Sequence, residues 1–388
     1  MIVKRFECHL GELIDVNPET LSVSKYKGSI QYIDIASVNC GQLDGYTEYD
    51  IADAPGRARR IIKDNDIIYS TVRPNLRAYY YVKNCPDNAI CSTGFAVLRA
   101  KENVDSRFIY SLVTENSFVN YLSLVAKGSA YPAVDTADFK KAKVTVPDLQ
   151  TQKRIAEILS AYDDLIENNN RRIALLEKAA QELYKEWFVR FRFPGYENAK
   201  FENGLPDGWK VDKLESILVL EDHKREPLSE QQRSGMQPLY PYYGACSVAG
   251  YVDNYIFDGI YLLLSEDGAN VVDDNGCPTL QYVWGQFWVN NHAHIISKNG
   301  IYSVEFLHVM LKNTNMQSIV TGAAQPKISQ KRLLGKKVIV PSADLVRLFS
   351  QKIEPMYERI RYLTEDNRNL TKQRDLLLPR LMSGKLEV

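Results

Sequence analysis

The sequence has no surplus of either charge: 48 Lys and Arg offset 48 Asp and Glu, with five His. This balance excludes a protein that holds nucleic acid or an acidic surface by bulk charge alone, because such proteins carry a net positive field. Cysteine is sparse and unpatterned. Cys8, Cys40, Cys85, Cys91, Cys246 and Cys277 show no C-x-x-C spacing, so neither a disulfide framework nor a structural zinc site is indicated, and reduced, packed thiols are expected. No uninterrupted apolar run approaches the ~18 residues of a membrane span, and MIVKRFECHL lacks the apolar core of a signal peptide, so a cytoplasmic location is expected. The chain also has no G-x-x-x-x-G-K-S/T phosphate loop, no Asn-Pro-Pro-Tyr/Phe or Asp-Pro-Pro-Tyr/Phe, and no Gly-rich turn between strand and helix. Nothing in the motifs marks a catalytic residue or a cofactor site. With 388 residues, 45% of them apolar and 25% charged, a soluble protein of two or three domains is predicted.

What the chain does have is periodicity. Between Pro147 and Phe193, Ile155, Tyr162, Asn169, Leu176 and Leu183 fall seven apart, as do Leu159, Ile166, Ile173, Ala180 and Trp187. These are the a and d positions of a heptad and predict one long helix, opened by Pro147 with Asp148 as N-cap and stopped by Pro194-Gly195. At 1.5 Å per residue, ~40 residues make a rod of roughly 60 Å, longer than a compact domain needs. Such a rod requires a partner helix. The C-terminus supplies a second seam, with Ile353, Ile360, Asn367, Arg374 and Leu381 in one row and Phe349, Met356, Leu363, Leu370 and Leu377 in the other. Pro355 should kink that helix or start it afresh. Each seam has a mid-helix Asn at an a position, Asn169 and Asn367, and two facing amides would fix the register at some cost in stability. The alternative is two unrelated solvated helices.

Residues 1–146 read as short strands at Ile30–Ile35, Asp66–Val72, Ala78–Val82, Phe95–Arg99 and Lys143–Val146, with one helix at Ser106–Leu124. The second half repeats the first. Ile260–Ser265 echoes Ile67–Ser70, Ala293–Ser297 echoes Phe95–Arg99, Ser303–Leu307 echoes Asp105–Ile109, Gly322 matches Gly128, and Val338–Pro341 matches Val144–Pro147. A period near 200 residues means domain duplication, since solenoid repeats run to ~20–50 residues. Two copies related by a pseudo-two-fold place their rods antiparallel with a head at each end, a dumbbell suited to duplex DNA with a bipartite site.

The residues also resemble a known family. Ile67-Ile68-Tyr69-Ser70-Thr71-Val72-Arg73-Pro74-Asn75, the run Val144–Ala156 and Leu205-Pro206-Asp207-Gly208-Trp209 occur in an order similar to that of the specificity subunit of type I restriction–modification systems. In the second copy Ser265–Asn270, Asn290–His294 and Thr321–Ser329 carry the likeness. The first copy departs from the usual pattern at Ser129-Ala130-Tyr131-Pro132, and the second helix lacks the Gln-x-x-x-Ile-Ala opening of the first. The resemblance covers essentially the whole chain. It implies an α+β fold of two tandem α/β target-recognition domains, each followed by a long helix, the helices forming an antiparallel coiled coil. The corresponding divisions are 1–147, 148–193, 194–341 and 342–388. It further implies a non-catalytic phage-defence chain that addresses DNA for two modification subunits holding S-adenosylmethionine and for restriction motor-nuclease subunits using ATP and Mg. No cofactor or metal is expected in this chain.

For DNA contact the informative clusters in the first domain are Arg57, Arg59, Arg60 and Lys63, then Arg73, Asn75 and Arg77 beside Tyr79, Tyr80 and Tyr81, then Lys127, Ser129 and Tyr131. In the second they are Lys224, Arg225, Ser265, Asn270, Asn290, Asn291, His292, Gln325 and Lys327. Arg and Asn suit bidentate contacts to guanine and adenine edges, whereas Lys and Ser suit phosphates. For each, a solvated surface role competes with contact, and the tyrosine run fits a half-buried strand better than a stacking platform. A rival reading takes His292, His294 and Cys277 as metal ligands, because alternate strand residues face one way, but only two of them are close in sequence. Asp34, Asp66 and Glu266-Asp267 have no spacing that singles out an acid–base pair, and they read as turn and strand-edge residues. Lys and Arg number 18 against 18 Asp and Glu over residues 1–148, and 13 against 16 over 195–341, so phosphate neutralisation must come from partners or from local patches. Two alternatives stay open: a system with methylation and cleavage fused in one partner, and a coiled-coil adaptor that binds protein instead of DNA. The isolated chain is expected neither to methylate nor to cut DNA, and turnover by rigorously purified material would contradict this reading.

Overall fold

The computed structural model describes residues 4–322 and 324–388; Ala323, within the Thr321–Ser329 stretch, lies outside the described residues. The chain divides into two compact units, one running to Asn168 and including Asp366–Val388, the other spanning Asn169–Glu365.

In the first unit a four-stranded antiparallel sheet has the order Ile14–Val16, Phe95–Ala100, Ile67–Ser70, Tyr79–Tyr81. A second sheet orders Thr47–Asp50, Ser29–Ile33, Ala89–Ser92 and Ala58–Ile61, with the middle pair parallel. Ile33, Ile62, Ile68, Cys91, Phe95 and Val97 form an apolar cluster drawn from both sheets. On its other face the first sheet meets Phe108, Phe118 and Phe139, so Tyr69 is wholly enclosed by aromatic rings at 5.5–6.5 Å. A ribbon of Arg5–His9 with Lys143–Pro147 ties the start of the domain to its end, Phe6 facing Val146. The second unit is built alike. Its six-stranded sheet runs Val219–Leu220, Ala293–Ser297, Phe257–Ser265, Leu280–Val289, Tyr240–Tyr243, Val248–Val252, and its ribbon pairs Lys210–Lys213 with Lys337–Val340.

The five strands expected in the first domain are found within two residues of their expected bounds, whereas Arg5–His9, Ile14–Val16, Thr47–Asp50, Ala58–Ile61 and Ala89–Ser92 are strands that alternation did not single out. The helix expected over Ser106–Leu124 is instead two, Ser106–Thr114 and Asn116–Val125, parted at Glu115, whose backbone is extended (ψ 147°). Thr114 Oγ1 donates back to the Tyr110 carbonyl at 2.8 Å, a bond that competes with the helical ladder and bends it. The cysteines are free, but Cys40 and Cys246 are exposed instead of packed, and only Cys91 is fully buried.

The central helix spans Leu149–Tyr184 and continues as a five-residue π turn, Lys185–Val189. Asp148 caps it, accepting from Thr151 N–H at 3.1 Å and from Thr151 Oγ1 at 3.0 Å. The π turn carries Trp187 and Phe188 into the second domain's core, where both rings pack on Phe349. The C-terminal helix runs unbroken over Ala343–Ser383 through Pro355. Because Pro355 is exposed, solvent is available to the carbonyl that its missing N–H leaves free. None of the twenty residues assigned to the two seams is exposed, and Asn169 is only 5% accessible. No helix among the described residues is long and apolar enough to cross a membrane.

Within each unit the two helices run in opposite directions. In the first, Arg374 pairs with Asp163 at 2.6 Å, while Arg154 donates to the Val388 carbonyl at 3.3 Å. In the second, Phe349 meets Trp187 while Ile360 shares a core with Ile173. Arg374 occupies an a position that would ordinarily be apolar, and its half-buried guanidinium is tolerated because Asp163 answers it. Arg374→Leu should therefore destabilise the first unit by about 1–3 kcal/mol in denaturant unfolding, since it strands a carboxylate. The double variant Asp163→Leu/Arg374→Leu should recover most of that loss.

Candidate nucleic-acid interface

The same backbone scaffold builds a loop cluster in each domain. In the first, Lys127 and Ala133 exchange N–H···O bonds at 2.9 Å, Val134 N–H donates to Thr71 O at 2.9 Å, and Arg73 N–H to Pro132 O at 2.7 Å. In the second, Thr321 and Lys327 exchange bonds at 2.9 and 2.7 Å, Ile328 N–H donates to Glu266 O at 2.8 Å, and Gly268 N–H to Pro326 O at 3.1 Å. Gly128 and Gly322 turn the two loops at φ 103° and 83°; a Cβ at Gly322 would lie 2.3 Å from the Gln325 carbonyl oxygen, so no other residue fits.

In the first cluster Arg73 and Arg77 bracket the turn Pro74–Leu76, and both hold left-handed backbone, φ 49° and 56°, an unfavourable choice for arginine. Arg73 is held by a bond to the Ala130 carbonyl at 3.0 Å and stacks 4.8 Å from the ring of Tyr131, which is 70% exposed. Arg73, Asn75, Lys127, Ser129 and Tyr131 are all exposed, and the backbone bonds join their loops into one surface. Arg77 is half-buried and bonds Asn116. Arg57, Arg59 and Arg60 belong to the other sheet, at the strand Ala58–Ile61. Of these only Arg57 is exposed; Arg59 bonds the Ala58 carbonyl and Arg60 reaches Thr20. Tyr79 and Tyr81 are buried core residues and Tyr80 is half-buried. Asp66 is a buried, bidentate partner of Arg99 at 2.7 Å on both oxygens, which sequence reading placed at a turn or strand edge.

In the second cluster Lys224, Asn270, Asn291, His292, Gln325 and Lys327 are exposed and Asn290 is half-buried. Ser265 is fully buried, its hydroxyl on the Asp267 carbonyl. Arg225 is turned inward, bonding Glu266 at 2.7 Å and the Ala293 carbonyl at 2.9 Å. Asp222, Glu266 and His294 bring one ligand atom each within 4.8 Å of one another. The trio is bonded as an ion-pair cluster. Both ring nitrogens of His294 are taken, by Asp222 at 2.6 Å and the Ile328 carbonyl at 2.8 Å, and Arg225 and Lys327 already answer Glu266. Cys277 takes no part, and His292, which precedes the strand Ala293–Ser297, pairs with Asp267 at 2.7 Å. Sequence reading missed Asp222, which lies 72 residues from the histidine it bonds.

A duplicated chain in which each head presents exposed polar loops on a shared scaffold, with Arg, Asn, Lys, Ser and Tyr in the first and Asn, Lys, His and Gln in the second, followed by a long helix, has the architecture of a two-headed recognition protein. Residues 7–178 and 206–354 match the type I restriction modification DNA specificity domain, and the chain belongs to that family. It is 26% identical over 325 residues, 79% of this chain and 75% of the relative, to the specificity subunit of type I restriction enzyme MjaIX of Methanocaldococcus jannaschii. To the HindI specificity subunit of Haemophilus influenzae it is 24% identical over 413 residues, covering 87% and 90% of the two chains. The fold is similar to that of a type I restriction–modification S subunit from M. genitalium, with a TM-score of 0.57 at 17% identity over 98% and 96% of the two chains. The chain is thus a DNA-recognition component and not a catalytic one.

Arg73→Ala should cost ~1–3 kcal/mol of binding if the guanidinium meets a base edge, with discrimination relaxed only at the base pairs the first domain reads. The comparison is of matched and mismatched duplexes bound by the chain with its methylating partner. Equal weakening on every sequence would make Arg73 a phosphate contact.

Proposed function

We propose that each head reads one half of a bipartite duplex-DNA site and that the two long helices set the unread spacer. The address so read directs adenine methylation by two modification subunits carrying S-adenosylmethionine, and cleavage by restriction motor-nuclease subunits using ATP and Mg. This chain contributes no cofactor and no metal to either reaction.

The observation that carries the reading is the loop cluster itself, repeated bond for bond with different side chains. Where the first head has Arg73, the second has Gly268, and where the first has Tyr131, the second has Gln325, as the paired backbone bonds align them. One scaffold with two chemistries suits two half-sites of unlike sequence. Net neutrality fits a chain whose partners supply much of the phosphate contact.

If the helices are rulers, their length sets the preferred spacer. One added heptad in each, at matched places in 168–183 and 366–381, keeps the seams in phase and lengthens the pair by ~10 Å. That corresponds to about three base pairs of spacer. Methylation of a library with graded spacers, by parent and lengthened chain with the same partner, should show the preferred spacer move while both half-site sequences stay the same. An unchanged spacer in a variant that folds and methylates would sink the ruler.

A further inference from the structure

The ion-pair cluster of the second domain ties together every loop that carries a candidate DNA contact there. Glu266 opens the Ser265–Asn270 loop, Lys327 closes the Gln325–Lys327 loop, His294 follows Asn290–His292, and Asp222 shares its turn with Lys224 and Arg225. At the centre is His294, with 1% of its side chain exposed. Its Nε2 points at a carbonyl oxygen and its Nδ1 at a carboxylate oxygen, 2.8 and 2.6 Å away. Both neighbours only accept, so both nitrogens must carry hydrogen and the ring is an imidazolium. Asp222 in turn accepts the Ile295 N–H at 2.8 Å, which anchors the turn to the strand.

We propose that His294, as a buried imidazolium, is the positioning residue of the second domain's recognition loops, and that reading of the second half-site alone loosens when the ring loses its proton. The inference rests on the two-headed reading given above. The charged groups around the ring are Asp222 and Arg225 from the turn, Glu266 and Asp267 after the strand Phe257–Ser265, His292 before the histidine's own strand, and Lys327. Glu221 and Lys224 pair with each other at 2.8 Å beside them. Burial by itself pulls the His294 pKa down, but Asp222, the Ile328 carbonyl and Glu266 hold it above the ordinary histidine value. A raised folded-state value means the stabilisation is fully present below the ordinary histidine pKa and is lost as pH rises through the folded one. His308 has the opposite sign: burial and then Lys312 push it down to about 3, so it acts only on the acid side.

The first head is a built-in control. Thr71 N–H donates to Gly94 O at 2.8 Å as Glu266 N–H donates to His292 O at 2.9 Å, which places Ala96 where the second head has His294. Asn17 Oδ1 accepts Val97 N–H at 2.9 Å in the role of Asp222, so a neutral amide and a methyl replace the charged pair. Nothing at this position of the first head titrates.

The test uses the chain in complex with its methylating partner on sites mismatched in one half or the other, from about pH 6 to about pH 9, bracketing histidine titration. Discrimination at the second half should fall by about tenfold, the worth of one base contact, as pH rises, while discrimination at the first half holds. His294→Gln, whose amide has one donor nitrogen and sets an acceptor oxygen where the imidazolium has its second donor, should give the low value at every pH. Should that variant fail to fold, Asp222→Asn serves instead, since loss of the carboxylate should move the parent's pH midpoint downward. A flat second-half profile, a parallel fall in both halves, or His294→Gln behaving like the parent would overturn the proposal. A parent indifferent to mismatches in one half at every pH would overturn the two-headed reading as well, so the two failures are distinct.

Discussion

Everything in this chain depends on one constraint: a helix of 36 residues with a narrow apolar seam cannot bury that seam alone. The chain meets the constraint by making the seams continuous with the domain cores. In the first unit Ile155, Ala156 and Leu159 of the central helix and Leu381 and Met382 of the C-terminal helix join Phe108 and Phe139 in one cluster. In the second, Ala180, Tyr184 and Trp187 meet Phe349, Ile353 and Ile360 around Phe306. The second unit is one continuous stretch, Asn169–Glu365, but the first is not, and the long-range return of Asp366–Val388 to it is a condition of its stability.

Polar pins sit on top of this apolar joint. In the first unit Lys83 reaches Asp164 and Glu167, both at 2.7 Å, and Arg107 reaches Asp164 at 3.0 Å, which fastens the head's strands and helix to the central helix. In the second, Arg361 of the C-terminal helix pairs with Glu305 at 3.1 Å, Glu305 accepts from Tyr282 at 2.6 Å, and His308 Nδ1 shares a hydrogen bond with the Tyr357 hydroxyl at 2.8 Å. Apolar packing tolerates sliding along a seam, whereas directional bonds do not. The pins therefore hold each packed surface in one register within its unit.

The parts legible in the sequence were those with local signals. Heptads are read from spacing alone, and the twenty seam positions turn out buried or half-buried, none of them exposed. The duplication was legible because copies share turns such as Gly128 and Gly322, whose positive φ tolerates little else. Illegible parts depend on partners far along the chain. His294 looked like half of a metal pair because strand alternation aligns it with His292, yet the strand begins at Ala293 and the true partner is Asp222. Arg225 and Ser265 looked like surface contacts because nothing local shows that one is drawn inward by Glu266 and the other covered. The break at Glu115 was hidden by an unbroken apolar pattern on both sides of it.

Charge, the feature that fitted DNA binding least, reads differently once those partners are known. The second head's excess of 16 Asp and Glu over 13 Lys and Arg counts histidine as neutral and treats every carboxylate as exposed. Asp222 and Glu266 are instead enclosed among Arg225, Lys327 and His294, so positive and negative charges cancel there in place and the histidine adds a cation the count leaves out. What the loops present outward is chiefly amide and base: Asn270, Asn291, Gln325, with Lys224 and Lys327 at the rim. Amides on a rigid frame supply sequence preference with little bulk attraction. A head of that kind is weak alone, and unpaired attraction to any phosphate would only dilute the sequence discrimination its amides supply.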